Sequence, residues 1–186
     1  MTISEDALAE ACKKGDRESM KLLYCTYSHY LLGVINRYLS DLDSSKDLLQ
    51  DSFLLIFDRI EKFKYRGEGS LKAWLTRVVI NESLMFLRHS KKMDCCSFDD
   101  AIAVDLELEE EEPEESFLDS LSYGDLMALI DQLPPGYKTI FMMYVVDGYS
   151  HKEIAKKLGI NEKSSSSQLA RAKKFLCKEI NKLKKV

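Results

Sequence analysis

Apolar residues recur at intervals of three and four positions along most of the chain, a pattern that predicts amphipathic α-helices. The longest such run extends from about Asp16 to Leu39. Further helices are predicted over residues 4–14, about 46–62, 70–90, 121–133, 137–146, 151–158 and about 162–182. Only three prolines and eight glycines interrupt the 186 residues, so we expect an all-α protein.

The predicted helix over residues 46–62 has an apolar face wider than one packing partner requires. Its main stripe is widened by three further apolar residues, and Gln50, Asp51 and Leu54 lie off that stripe. A broad apolar face bordered by acidic residues is typical of a docking surface, with a central helix packed on several sides as the alternative. The stripe comprises Leu49, Phe53, Ile56 and Ile60, and the widening residues are Leu48, Leu55 and Phe57.

The segment that follows alternates aromatic and basic side chains. Residues 63–69 form a predicted loop that includes Lys64, Arg66 and two glycines. Aromatic rings that stack on bases and cations that hold phosphates are typical of sites for single-stranded DNA. A helix with Ser70 as its expected N-cap would place Trp74, Arg77, Asn81 and Arg88 on one face. We interpret this face as a candidate nucleic-acid surface, with a structural role for Trp74 as the alternative.

Residues 150–161 have the spacing of two short helices joined by a tight turn. Ser150 followed by Glu153 is a capping box, which predicts a helix that begins at His151. Gly159 can adopt the left-handed conformation that ends a helix, and Asn161 is a suitable N-cap for the next one. This arrangement is the geometry of a helix-turn-helix, which places its second helix in the major groove of DNA. The alternative is an ordinary corner between two helices with a solvated basic face.

The second helix of this unit carries hydroxyl, amide and basic side chains. Such groups suit contacts with phosphates and base edges. The candidate DNA-binding residues are Lys163, Ser164, Ser166, Ser167, Gln168, Arg171 and Lys174.

Charge divides the chain into three segments. Residues 1–93 hold 15 basic and 13 acidic residues, residues 94–120 hold no basic and 12 acidic residues, and residues 121–186 hold 12 basic and 6 acidic residues. A block of like charges repels itself and stays extended unless a partner orders it. We therefore expect two small helical domains, residues 1–93 and 121–186, joined by a flexible acidic linker over residues 94–120. The linker is either a solvated spacer or a shield for the basic C-terminal segment.

Several classes of protein are disfavoured. No apolar run is long enough to cross a bilayer and no signal peptide is evident, so we expect a cytoplasmic protein without membrane insertion. The five cysteines are scattered without zinc spacing, which favours reduced thiols. The three histidines lie outside any HExxH or triad context. We expect no enzyme activity, metal, cofactor or small-molecule substrate.

Two groups of motifs in this chain resemble bacterial sigma factors. The second conserved region of that family is similar to Gln50-Asp-Ser-Phe53, Leu71-Lys-Ala-Trp-Leu75 with Asn81, and Leu87-Arg88. The fourth region is similar to residues 133–137, 148–155 and 168–173. Both regions in order, with no third region between them, resemble the extracytoplasmic-function (ECF) class. Ile80 departs from the family, which often has a basic residue there, and Ser165 stands where a buried Val is usual.

The resemblance implies a role for each segment. Asp47, Gln50, Asp51 and Phe53 would bind the β′ clamp of core RNA polymerase. The loop and helix with Lys64, Arg66, Ser70, Trp74, Arg77, Asn81 and Arg88 would read and open the minus-ten promoter element. The helix-turn-helix would read the minus-thirty-five element and rest on the β flap, and the linker would thread the polymerase cleft. An anti-sigma factor is a further expected partner. The competing hypothesis is a DNA-binding regulator that acts alone, with residues 1–93 as a sensor domain.

Overall fold

The computed structural model describes residues 3–39, 41–89 and 121–183. The predicted acidic linker lies outside these residues. The chain divides into two compact units between His89 and Ser90, and each unit is described by itself. All regular secondary structure in the described residues is helical, which confirms the predicted fold class.

The first unit is a bundle built around a long central helix. Its helices are α1 (Glu5–Lys13), α2 (Arg17–Tyr38), α3 (Leu42–Arg59) and α4 (Ser70–His89), and a 3₁₀ turn (Ile60–Lys62) follows α3. Helix α2 packs against both α3 and α4, and α1 contacts the 3₁₀ turn and α4. The core is aliphatic, with fully buried residues from three helices: Leu23, Leu31, Ile35, Ile56, Leu71 and Leu75.

Helix α3 begins four residues earlier than the apolar pattern predicts. The carboxylate of Asp41 accepts a hydrogen bond from the backbone N–H of Ser44 at 2.9 Å, so Asp41 is the N-cap. Residues 42–45 are therefore helical, although the apolar pattern predicts a helix only from about residue 46. Ser44 and Ser45 lie inside the first turns, because the cap satisfies backbone donors that these short polar residues would otherwise compete for.

The second unit places two short helices under a helix-turn-helix. It contains α5 (Tyr123–Ile130), α6 (Pro135–Phe141), a π-helical turn (Met142–Val146), α7 (His151–Leu158) and α8 (Glu162–Leu183). Met142 and Met143 are fully buried, as expected for core residues. One cluster joins α5, the connection after it, α6 and α8: Leu129, Leu133, Tyr137, Ala172, Leu176 and Ile180.

Proline modifies the start of α6. Residues 134–136 were expected to form a turn before a helix beginning at Tyr137, but Pro135 is already the first helical residue. A proline is well suited to this position, since its missing N–H would have no partner within the helix.

The helix-turn-helix has the local geometry that its sequence predicts. Ser150 Oγ accepts a hydrogen bond from Glu153 N at 3.3 Å, and Ser150 N donates to Glu153 Oε2 at 2.9 Å. Gly159 ends α7 with a φ of 71°. Asn161 Oδ1 accepts a hydrogen bond from Ser164 N at 2.6 Å, which caps α8. These contacts confirm the predicted capping box, the glycine turn and the second N-cap.

Candidate nucleic-acid and polymerase interfaces

The loop before α4 and the first turns of α4 line an open pocket with a volume of about 360 Å³. The pocket combines two aromatic rings with four cationic side chains. This is the combination that holds single-stranded nucleic acid, because rings stack on bases and cations contact phosphates. Its lining residues are Lys62, Phe63, Lys64, Arg66, Ser70, Ala73, Trp74 and Arg77.

The two aromatic residues of this pocket, Phe63 and Trp74, pack against each other. Phe63 is buried, and its ring centroid lies 5.6 Å from that of Trp74 with an interplanar angle of 51°. Trp74 is half-buried, so part of the indole remains available to a ligand. The structural role and the binding role considered for Trp74 are therefore compatible, since the ring both packs on Phe63 and lines the pocket.

Ser70 does not cap α4 as the sequence suggested. It is the first helical residue, and its hydroxyl accepts a hydrogen bond from the backbone N–H of Arg66 at 3.2 Å. This bond closes the loop on the helix. Gly67 and Gly69 have φ values of 116° and 83°, a backbone region that L-residues rarely adopt, so the tight loop requires glycine at both positions.

The other predicted residues of this surface lie outside the pocket. Asn81 and Arg88 are exposed farther along α4, beyond Arg77. Lys62, Phe63 and Ala73 line the pocket but were not among the predicted site residues, although Phe63 lies in the predicted loop. For Lys62 a signal was available, since it is a basic residue at the start of an aromatic and basic loop.

Helix α3 presents an acidic face with an apolar centre. Asp47, Gln50, Asp51 and Asp58 are exposed on it, and Leu54 among them is 70% exposed. These positions are spaced by three, one, three and four residues, so they share one side of the helix. A large aliphatic side chain in contact with solvent among carboxylates is suited to burial against a basic partner.

Phe53 does not belong to this exposed face. It is 3% exposed, and its ring packs between Tyr24 at 4.6 Å and Phe57 at 5.9 Å between centroids. Phe53 therefore attaches α3 to α2, and the structure places it in the core instead of at the surface where a partner could reach it. Leu54 was expected to lie off the buried stripe of α3, as it does, but it was not among the predicted site residues.

On α8, the solvent-facing side carries most of the predicted DNA-binding residues. Lys163, Ser166 and Ser167 are exposed, while Ser164, Arg171 and Lys174 are half-buried. Gln168 differs from these residues. It is 6% exposed, and its Oε1 has no hydrogen-bond partner within the described residues. The Gln168 side chain is therefore buried within the unit and not on its exposed side.

A histidine connects α8 to the rest of the second unit. Ser165 is fully buried, and its Oγ lies 3.0 Å from Nδ1 of His151 at the start of α7. The His151 ring stacks on Tyr144 of the π-helical turn, with centroids 4.5 Å apart and an interplanar angle of 22°. Ser165 is thus a core residue whose hydroxyl is hydrogen-bonded to His151. This bond explains how the core tolerates a polar side chain where an aliphatic one would pack.

Comparison with known proteins gives a consistent result for both units. Residues 23–93 match the family model for Sigma-70 region 2, and residues 123–176 match the model for Sigma-70, region 4. The chain is 26% identical to an ECF RNA polymerase sigma-E factor of Haemophilus influenzae, with 97% of both chains covered. It is also 26% identical to the RNA polymerase sigma-H factor of Pseudomonas aeruginosa, with 96% of this chain and 95% of that protein covered.

The chain belongs to the sigma-70 family. Its similarity to curated ECF proteins over nearly their full length places it in the ECF class of that family. A solved structure of the sigma factor RpoE from Bartonella quintana, in complex with the anti-sigma factor NepR, shares its fold with a TM-score of 0.50. That match has 22% identity and covers 87% of this chain and 96% of the solved one. Within the described residues of this ECF-class chain, no helix combines the length and the apolar character needed to span a membrane.

Proposed function

We propose that this chain is an ECF sigma factor that binds core RNA polymerase, recognises two promoter elements and helps to melt DNA at the start of transcription. The observation that carries the proposal is the presence of both sigma regions, in order, along one chain. The pocket around Trp74 and the helix-turn-helix supply one DNA-binding surface in each unit. We propose no catalytic role, since binding alone accounts for this function.

The exposed face of α3 is the proposed contact with the β′ clamp of the polymerase. Asp47, Gln50 and Asp51 are exposed, and Leu54 supplies the apolar centre. Burial of one leucine side chain contributes about 2 kcal/mol. Phe53 supports this face from inside by attaching α3 to α2.

The pocket around Trp74 is the proposed site for bases of the minus-ten element. Lys64, Arg66 and Arg77 would hold phosphates while Trp74 and Phe63 contact an unstacked base. Capture of bases offsets the cost of unpairing, which is a few kcal/mol, so no nucleotide hydrolysis is required. Ser70 closes the pocket loop, and Asn81 and Arg88 would extend the contact along α4.

The exposed side of α8 is the proposed reader of the minus-thirty-five element. Lys163, Ser166 and Ser167 lie farthest into solvent, with Ser164, Arg171 and Lys174 beside them. The β flap of the polymerase is the proposed support for this unit. We propose that the acidic linker, residues 94–120, threads the polymerase cleft, where a polyanion suits a channel that accommodates RNA.

An anti-sigma factor is a further proposed partner. The RpoE structure with which this chain shares its fold contains one. The α3 face with Leu54 is the surface that such a partner would cover to prevent polymerase binding. The competing hypothesis of a regulator acting alone receives no support from the comparisons, because both matched regions are sigma regions.

The test is reconstitution with sigma-free core RNA polymerase on a library of genomic fragments. We expect promoter-dependent transcripts with the wild-type chain and at least a tenfold loss with Leu54→Arg. Leu42→Arg is the matched control, because Leu42 is also exposed on α3 but lies away from the Leu54 face. Absence of transcripts from every fragment, together with tight DNA binding by the chain alone, would refute the proposal.

A further inference from the structure

We propose that Glu5 is a positioning residue for single-stranded DNA: from α1 it caps the first turn of α4 and so holds one wall of the Trp74 pocket in its binding shape. This inference rests on the proposed function of that pocket. It assigns a role in promoter opening to the N-terminal helix, which lies before the matched sigma region.

The Glu5 carboxylate accepts hydrogen bonds from three donors that are distant in sequence. Oε2 accepts from the backbone N–H of Leu71 at 3.0 Å, and Oε1 accepts from that of Lys72 at 3.4 Å. The hydroxyl of Tyr27 on α2 donates to Oε1 at 3.1 Å. The carboxylate therefore bridges α1, α2 and α4.

Helix α4 lacks a cap of its own at this end. The residue before its first turn is Gly69, which has no side chain, and the hydroxyl of Ser70 is already bonded to Arg66 N. The first backbone N–H groups of a helix have no partner within the helix and attract negative charge. Glu5 supplies both the acceptors and the charge from another part of the chain.

The capped turn is also the wall of the pocket. Ser70, Ala73 and Trp74 line the pocket, and they flank Leu71 and Lys72, whose amides Glu5 holds. The hydrogen bond between Ser70 Oγ and Arg66 N connects this turn to the loop, so the loop would move if the turn moved. Fraying of this turn would move Trp74 and the loop together, while the deeper residues Leu75 and Val79 would keep the helix in the core.

The other end of α1 lies near Phe63, the ring on which Trp74 packs. Nζ of Lys13 is 5.9 Å from the centroid of the Phe63 ring, and Lys13 is itself held by Glu10 at 2.6 Å. Helix α1 thus touches Trp74's supporting ring at one end and the start of α4 at the other.

The test uses Glu5→Ala and Glu5→Gln in the full chain. The probe is the single-stranded non-template strand of a promoter that the wild-type holoenzyme selects from a random library. We expect Glu5→Ala to bind this strand about tenfold more weakly, the equivalent of losing one helix N-cap. Glu5→Gln retains one acceptor oxygen and should show an intermediate loss. Asp6→Ala is the matched control, because it removes the same charge from the neighbouring exposed position of α1.

Two further measurements separate positioning from general stabilisation. Trp74 is the only tryptophan of the chain, so its fluorescence emission reports the pocket directly. We expect a red shift in Glu5→Ala and unchanged affinity for core polymerase, since none of the three Glu5 hydrogen bonds involves α3. Tyr27→Phe, which removes one of the three bonds, should give a smaller loss in the same direction.

These experiments distinguish a failure of the Glu5 inference from a failure of the proposed function. If the wild-type holoenzyme selects no promoter, the function itself is wrong. If selection succeeds but Glu5→Ala binds the strand as tightly as Asp6→Ala, Glu5 has no positioning role. An equal loss of strand binding and polymerase binding in Glu5→Ala would also overturn the inference, because it would indicate unfolding of the whole unit.

Discussion

At the scale of single residues, Trp74 connects the core of the first unit to its ligand surface. Its ring packs on buried Phe63 and also lines the pocket. Stacking of one base on an aromatic ring contributes about 1–3 kcal/mol. We expect Trp74→Ala to weaken binding of the single-stranded minus-ten element by about tenfold or more, while Trp74→Phe retains most of the affinity. Titration with a labelled oligonucleotide measures both variants, and equal affinity for Trp74→Ala and wild type would show that the ring contacts no base.

The cysteines offer a second prediction at this scale. Burial, with a smaller contribution from the nearby carboxylate of Asp16, raises the pKa of the Cys12 thiol to about 11. The reactive thiolate of Cys12 is therefore scarce in the folded protein below that pH, whereas Cys25 is exposed. At mildly alkaline pH we expect iodoacetamide to modify Cys25 much faster than Cys12, as mapped by mass spectrometry. Addition of urea should make the two rates similar, and rapid modification of Cys12 without urea would contradict its burial.

At the scale of helices, glycine has different roles at two positions of the chain. Gly159 ends α7 at a positive φ, where a side chain is strained whatever space surrounds it. Gly33 lies inside α2, and a Cβ there would meet nothing within 4 Å. We expect Gly159→Ala to lower the free energy of unfolding by about 1 kcal/mol and Gly33→Ala to raise it by about 0.5–1 kcal/mol. Urea unfolding of the two variants measures both, and a stabilised Gly159→Ala would mean that α7 ends differently.

The helices also show which features the sequence predicts and which it does not. The limits of α7 follow from Ser150, Glu153 and Gly159, because a capping box and a left-handed glycine are local signals. The cap of α4 could not be predicted, since its acceptor, Glu5, lies 66 residues before Leu71 in the chain. Long-range contacts of this kind become visible only in the folded structure.

The same distinction applies to the candidate sites. Lys64, Arg66, Ser70, Trp74 and Arg77 were predicted together and line one pocket. Phe53 and Gln168 were expected at surfaces but are buried, because the motif positions that suggested them do not specify which way a side chain faces. Leu54 was recognised as lying off the buried stripe, but it was not named as a site residue because no motif position pointed to it.

At the scale of the whole molecule, the three segments of the chain differ in net charge. The C-terminal segment, residues 121–186, has twice as many basic as acidic residues and contains the helix-turn-helix. The acidic face of α3 and the pocket with four cationic side chains both belong to the near-neutral N-terminal segment. The linker, with 12 acidic residues and no basic ones, keeps the overall net charge at −4. Such a distribution suits a protein that acquires strong DNA affinity only when its two units are held by a larger partner.

We expect both units to act together on one promoter, with opening of the DNA at the first unit. Permanganate footprinting of a selected duplex promoter tests this most directly, because it detects unpaired thymines. With core polymerase and the wild-type chain, we expect protection of both promoter elements and permanganate-reactive thymines in the minus-ten element. With Trp74→Ala, we expect these thymines to become unreactive while the upstream element remains protected. Protection by the chain alone, with no reactive thymine when polymerase is added, would contradict the account.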